Sequence, residues 1–341
     1  MMFRARRTRR KKASENFAFC LHTFACCCAC AAVEMAPAKS LSRRLNSAPV
    51  VLLSLAFTAT AAVLPGPVIS RAWALCAANA LLCWLASLAS NEHSWTDRLW
   101  SVTPAAYSLL FALDAPCARS ALQFALSVLW ALRLSWNFFR KGGFEVGEED
   151  YRWAAVREEL RRRAPARCEA LVWQAFNAAF IASYQHVLLL LIALPAHAAA
   201  LSPLSFADGL VAACFLLLLL LETAADNQQW RFQQSKRMLA PREKHLASDY
   251  ENGFLTHGLF ALCRHPAFAA EVSVWWCFWL FNSRSIPVGS VLLTALFQGS
   301  ARFTETLSAR KYPAYRLYQQ RVPMLWPVWS GRRSTVCNRI D

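Results

Sequence analysis

The sequence predicts an all-α fold, a polytopic transmembrane helical bundle of about 7–8 spans, and three observations carry that prediction. Apolar runs recur along most of the chain, and 56% of its 341 residues are hydrophobic. One bilayer crossing takes roughly 20 such residues, so the runs suffice for several spans. The chain also holds 14 tryptophans, whose rings settle at headgroup depth. Finally, the basic residues behind a formal charge of +16 lie between the apolar runs, as they do in the cytoplasmic loops of membrane proteins.

That placement argues against nucleic acid as a partner, because no continuous basic stripe is present. The 13 cysteines support neither a disulfide framework nor a metal site. Cys20, Cys26, Cys27, Cys28 and Cys30 crowd one N-terminal segment, while Cys76, Cys83, Cys214 and Cys277 sit inside apolar runs. There a thiol behaves as a small hydrophobe, and no pair-of-pairs spacing suits zinc.

In chain order, residues 1–46 form a basic, cysteine-rich extension. A polybasic patch at 4–12 precedes an apolar stretch at 17–32. A cleaved signal, a surface anchor with acylated cysteines and a plain extension all fit, since basic charge plus lipidation supplies the two signals that anchoring needs. The stretch is short for a span and lacks a clean cleavage site, which favours a cytosolic extension.

Residues 47–328 form one multi-span domain. The first two spans are expected at 49–64 and 72–88, with Pro65-Gly66-Pro67 as the turn between them. A shorter run at 101–113 is bounded by Asp114-Ala115-Pro116, and a fourth follows at 122–139. Residues 170–200 suffice for a span plus an interfacial helix, 204–221 for a sixth span, and 268–281 with 286–301 for a final pair. If one of the weaker runs is re-entrant, about six or seven crossings remain. The basic stretches 140–167, 231–244 and 310–339 alternate with nearly uncharged connections near Arg71, Asp114 and Ser202. This alternation places both termini, including a tail at 329–341, on the cytoplasmic side.

Four polar clusters share that side. Glu222 and Asp226, four apart, lie on one helical face, with Gln228, Gln229, Arg231 and Lys236 following. They offer acceptors to ribose hydroxyls and donors to phosphates, or simply mark a helix end dipping into water. In Arg264-His265-Pro266, the proline suits a first helical turn, so the two residues before it flank an N-terminus that favours anions. An arginine fork suits phosphate, although a boundary arginine beside a capping histidine reads the same way. Glu305, Lys311, Tyr312, Tyr315, Tyr318 and Arg321 could flank an adenine or form an interfacial belt. Arg133, Arg140 and Glu149-Asp150-Tyr151-Arg152-Trp153, taken alone, read as a solvated amphipathic helix. A cytosolic cofactor would enter on this side, and an apolar substrate from the lipid.

In order and spacing, Arg133-Leu134, Glu149-Asp150-Tyr151-Arg152, Asp226-Asn227-Gln228, Arg264-His265-Pro266, Glu271 and Lys311-Tyr312-Pro313-Ala314-Tyr315 resemble steroid 5α-reductase-like membrane proteins. The nearest resemblance is to the branch whose substrates are mostly undefined, and it covers roughly residues 100–328. It implies a helical membrane reductase of the endoplasmic reticulum, using NADPH to reduce a carbon–carbon double bond conjugated to a carbonyl in an apolar lipid or steroid-like substrate. By motif position it implies Glu222, Asp226, Gln228, Lys236, Arg264, His265, Glu271, Glu305, Lys311, Tyr312 and Tyr315 as cofactor-binding residues. No metal is implied.

Family members often carry Asn, an aromatic or leucine, and Gly between the His-Pro pair and the glutamate. Here Ala267, Ala269 and Ala270 stand in that interval, and Ala267 lacks an amide that would bond the cofactor. The resemblance puts the catalytic acid in the early spans, where Tyr107, Tyr184 and His186 are candidates and packing or interfacial roles fit equally. An alternative is an S-adenosylmethionine-dependent methyltransferase resembling isoprenylcysteine carboxyl methyltransferases, which share the Arg-His-Pro element and a downstream carboxylate. Asp226-Asn227-Gln228 and the Lys-Tyr-Pro-Ala-Tyr run favour the reductase. The alanines near Glu271 keep open a third reading, a membrane scaffold without turnover.

Overall fold

A computed structural model describes residues 46–163, 165–239 and 248–327. The N-terminal extension, save Asn46, and the C-terminal tail lie outside the described residues. Every regular element among the described residues is helical. Backbone contacts divide them into two units, one ending at Leu204 and the other starting at Ser205.

In the first unit, α1 (Ala48–Val63) and α2 (Val68–Ser90) are joined through Pro65-Gly66-Pro67. The short α3 (Trp95–Trp100) leads into α4 (Thr103–Asp114) and α5 (Ala118–Arg140). After a loop come α6 (Tyr151–Arg163) and α7 (Glu169–Phe176), which runs on through a π-helical turn at Asn177–Tyr184 into α8 (Gln185–Ala193). The centre is α4: it packs against α1, α2, α5 and α8, and most of its side chains are buried. That is why its polar residues point into the bundle and not into a solvent.

Two arginines tie this unit together. Arg71 donates to the carbonyls of Ala61 and Ala62, each at 3.1 Å, and pairs with Asp114. A cation thus caps the free carbonyl end of α1 and links it to the end of α4. Arg98 is fully buried, with its guanidinium on the Glu92 carboxylate and the carbonyls of Gly143 and Glu145. It thereby stitches the α2–α3 turn to the loop after α5. The amphipathic helix read at 149–153 is α6: Trp153, Val156 and Leu160 pack on Trp173, Phe176 and Ile181, while Arg161, Arg162 and Arg163 stay exposed.

The second unit is built on α9 (Phe206–Met238). A capping box opens it: Ser205 Oγ accepts from the Asp208 backbone N–H at 3.3 Å, and Asp208 accepts from the Ser205 backbone N–H at 2.8 Å. Against α9 lies α11 (Pro266–Leu280), begun by a proline in its first turn. Phe215, Trp275 and Phe278 fill the contact. The unit is completed by α10 (Ser248–Asn252), a 3-10 turn at Gly258–Ala261, α12 (Val288–Lys311) and α13 (Tyr315–Arg321).

Three helices are long and apolar enough to cross a membrane: Val68–Ser90, Glu169–Ala199 and Phe206–Met238. The other apolar runs fold into shorter or more polar helices. At 16, 12 and 15 residues, α1, α4 and α11 rise about 18–24 Å, short of the roughly 30 Å hydrocarbon layer. Arg119, Arg133 and Arg140 punctuate α5.

Candidate functional site

Beyond its apolar portion α9 continues through Glu222, Ala225, Asp226 and Gln228 to Lys236, residues that include good helix formers. Glu222 and Asp226 are buried on one face. Residues 248–263 fold back over this polar half. Asp249 closes that fold, accepting from the Thr256 backbone N–H at 3.0 Å, from the Thr256 hydroxyl and from His257 Nδ1.

Two glycines let the segment press close. Gly258 has φ +63°, and a Cβ there would stand 2.6 Å from Gln228 Oε1. The same Gln228 oxygen accepts the Leu259 backbone N–H at 2.9 Å. Gly253 has φ +83°, and a Cβ there would stand 2.5 Å from the Tyr312 ring. Lys236 Nζ donates to the Gly253 carbonyl at 2.6 Å and to Tyr312 Oη at 3.1 Å. Phe254 packs against Tyr312, Tyr315 and Tyr318, so the third aromatic cluster is one side of this loop's seat. Burial raises the Tyr312 phenol, but Lys236 and Lys311 outweigh it and leave its pKa below the ordinary value.

Arg264 and Glu305 form the second half of the site. The Glu305 carboxylate accepts from Arg264 Nε and Nη2, from Gln319 Nε2 at 2.8 Å, and lies 3.0 Å from His265 Nε2. Arg264 Nη1 donates to the carbonyls of Gln319 and Val322. Its backbone N–H reaches Pro323, and that of His265 reaches Met324. Four of the five guanidinium N–H bonds are therefore taken within the protein. Such an arginine positions other groups more than it reaches for a ligand. Burial would raise the Glu305 carboxyl, yet hydrogen bonds from His265, Arg264 and Gln319 pull its pKa down to about 2.

Contacts thus bring Gln228, Lys236, Arg264, His265, Glu305, Tyr312 and Tyr315 onto one loop and its seat. Lys311 is exposed beside them, its Nζ 5.4 Å from the Tyr312 ring centre. Glu271 is buried one turn before Trp275, whose indole donates to it at 3.0 Å. A shallow apolar groove of about 410 Å³, lined by Leu218, Ser273, Trp276, Cys277, Leu280 and Trp326, contains none of these polar groups. Among the described residues no group of three or more His, Cys, Asp or Glu could hold a metal ion.

The three candidate acids lie in the first unit. Tyr184 stacks on Phe180 at 5.3 Å and is half-buried. His186 is fully buried with Nε2 3.4 Å from Cys83 Sγ. Tyr107 is fully buried beside Cys76 and Asn79. Its hydroxyl and both amide atoms of Asn79 have no hydrogen-bond partner among the described residues. Sequence reasoning passed over Asn79, although a lone amide inside an apolar run is itself a signal.

The sequence matches the family described as protein of unknown function (DUF1295) over residues 83–322. It is also 33% identical, over 73% of this chain and 76% of the relative, to an uncharacterized protein of Schizosaccharomyces pombe. No solved structure matches.

Proposed function

This chain belongs to the DUF1295 family, and on that premise we propose that it is an integral membrane reductase akin to steroid 5α-reductases. It uses NADPH to reduce a carbon–carbon double bond conjugated to a carbonyl in an apolar lipid or steroid-like substrate. The same reading gives it about 7–8 crossings, cytoplasmic termini and a place in the endoplasmic reticulum. The observation that carries it is the gathering of Gln228, Lys236, His265, Glu305 and Tyr312 around one folded-back loop.

The donor set suits a phosphorylated dinucleotide. Lys236 keeps one of its three N–H bonds, and Tyr312 keeps its O–H while accepting from Lys236. Lys311 adds an exposed ammonium. In this reading these three groups hold phosphate, Asp226 accepts from a ribose hydroxyl, and Arg264 with Glu305 fixes the His265 ring. When bound, NADPH supplies the hydride.

Titration of the full-length protein in nanodiscs with NADPH, NADH and S-adenosylmethionine tests the proposal. NADPH is expected to bind in the micromolar range, and Lys236→Met to weaken it about ten-fold, the worth of a charge-assisted phosphate contact. Preference for S-adenosylmethionine would replace the reductase by the methyltransferase. Binding of neither would leave a scaffold.

A further inference from the structure

The helix α6 has two unlike faces. Its apolar side chains, Trp153, Val156 and Leu160, are taken up by packing on Trp173, Phe176 and Ile181. Elsewhere on its surface Arg157, Arg161, Arg162 and Arg163 are exposed, and the exposed Arg167 follows in the short connection to α7. Five guanidinium groups thus fall within eleven residues, and the acids in that interval are Glu158 and Glu159 alone.

The two glutamates leave most of this charge uncompensated. Glu158 lies 3.1 Å from Arg161 Nε and 3.2 Å from Arg162 Nε, and Glu159 lies 2.6 Å from Arg163 Nη2. The three arginine side chains are 59%, 63% and 76% exposed. Exposed pairs of this kind contribute little to a helix. A guanidinium has five N–H donors, so each of the three keeps donors for a partner outside the chain.

The position of the patch identifies that partner. It stands immediately before Glu169–Ala199, a helix long and apolar enough to cross a membrane. Because α6 packs back on the opening turns of that span, its charges do not stand off in open solvent. Arg157 lies over the Trp173 ring, its guanidinium carbon 5.4 Å from the ring centre. Leu171, two residues earlier in the span, is 73% exposed. A cation and a bare leucine at one level mark the boundary of hydrocarbon and headgroups, where long basic side chains keep their stems in lipid and their heads among phosphates. Clusters of about four to eight basic residues directly outside a span attract anionic lipid.

We propose that Arg157, Arg161, Arg162, Arg163 and Arg167 form a docking surface for the anionic phospholipid headgroups of the surrounding membrane. The guanidinium fork matches a phosphodiester or a carboxylate with two parallel hydrogen bonds. The net positive field of the patch gathers such lipids around the mouth of the span. The surface lies within the first unit and shares no residue with the cofactor site proposed above, so it stands whether or not the reductase reading does.

Native mass spectrometry of the full-length protein, released from nanodiscs of mixed phosphatidylcholine and phosphatidylserine, tests this. The readout is the ratio of bound phosphatidylserine to bound phosphatidylcholine, which is expected to exceed that of the bilayer. Arg161→Gln, Arg162→Gln and Arg163→Gln combined should lower it by about ten-fold. Lysine at the same three positions keeps the charge and should retain most of the preference. Glu158→Gln with Glu159→Gln, which releases the three arginines, should raise it. The basic stretch at 4–12 is present in every variant, so the differences report α6 alone, and circular dichroism verifies that each variant keeps its helix content. A ratio that responds to neither the arginine nor the glutamate changes overturns the surface and leaves the patch to a soluble acidic partner or to water.

Discussion

One carboxylate, Glu305, holds both Arg264 and His265, and through Arg264 it also fixes the chain at Gln319 and Val322. The second unit therefore depends on an ionised acid at a junction of three segments. The Glu305 pKa falls from an ordinary 4.5 to about 2. A depressed carboxylate contributes stability that is complete above the unfolded value and disappears as pH falls through the folded one. Thermal unfolding should therefore show a loss between about pH 4.5 and pH 2, worth at most roughly 3 kcal/mol. Glu305→Gln should be less stable at neutral pH and flatter across that window. Identical acid profiles would remove Glu305 from this role.

Gly258→Ala should destabilise the second unit by about 1–3 kcal/mol, because it combines a left-handed backbone with a steric conflict. The new methyl would press on Gln228 and displace the Leu259 hydrogen bond. Gly299 provides the contrast: it lies inside α12 with open space around its Cβ position. Gly299→Ala should be neutral or stabilising by up to about 1 kcal/mol. Denaturation midpoints of the two variants check both signs.

Trp173→Phe keeps a ring in the apolar cluster around Trp153 and Ile181 but removes the donor to His93. A buried acceptor is left unpaired, at a cost of about 1–3 kcal/mol. Proteolysis within the loop joining α5 to α6 should accelerate, since Glu149 in that loop is held by His93. An unchanged cleavage rate would mean that the loop is secured elsewhere.

Lys236→Met should raise the ionisation pH of Tyr312, because Lys236 is the foremost of the two cations that hold the phenol below its ordinary range. Ultraviolet difference titration reads tyrosinate directly, and subtraction of a Tyr312→Phe trace isolates the residue. A titration that does not move would assign the shift to Lys311.

The sequence is most legible where a residue type has few structural uses. Pro65-Gly66-Pro67 marks the α1–α2 turn and Pro266 marks the start of α11, because proline fixes φ and lacks a donor. The motifs from Gln228 to Tyr312 announce a polar site because charge beside hydrocarbon is costly. The partners of Arg264 are less visible. Half of its guanidinium hydrogen bonds go to carbonyls of Gln319 and Val322, and a carbonyl leaves no mark in a side-chain sequence. Helix lengths mislead in a similar way: hydropathy registers apolar runs but not the tertiary contacts that end α4 at Asp114 beside Arg71. Asn79 and Cys83 vanish among apolar neighbours until the packing of α2 aligns them with Tyr107 and His186.

At 33 residues, α9 extends about 50 Å, well beyond the thickness of any cellular bilayer's oily layer. Its leucine-rich half takes up the lipid, and Gln228 and Lys236 ride on the remainder. Thickening a membrane by a few ångströms would shift the waterline along this helix by only two or three residues. Nucleotide affinity should accordingly be the same in short-chain and long-chain phosphatidylcholine, so that sorting among organelles would not by itself switch the site on or off.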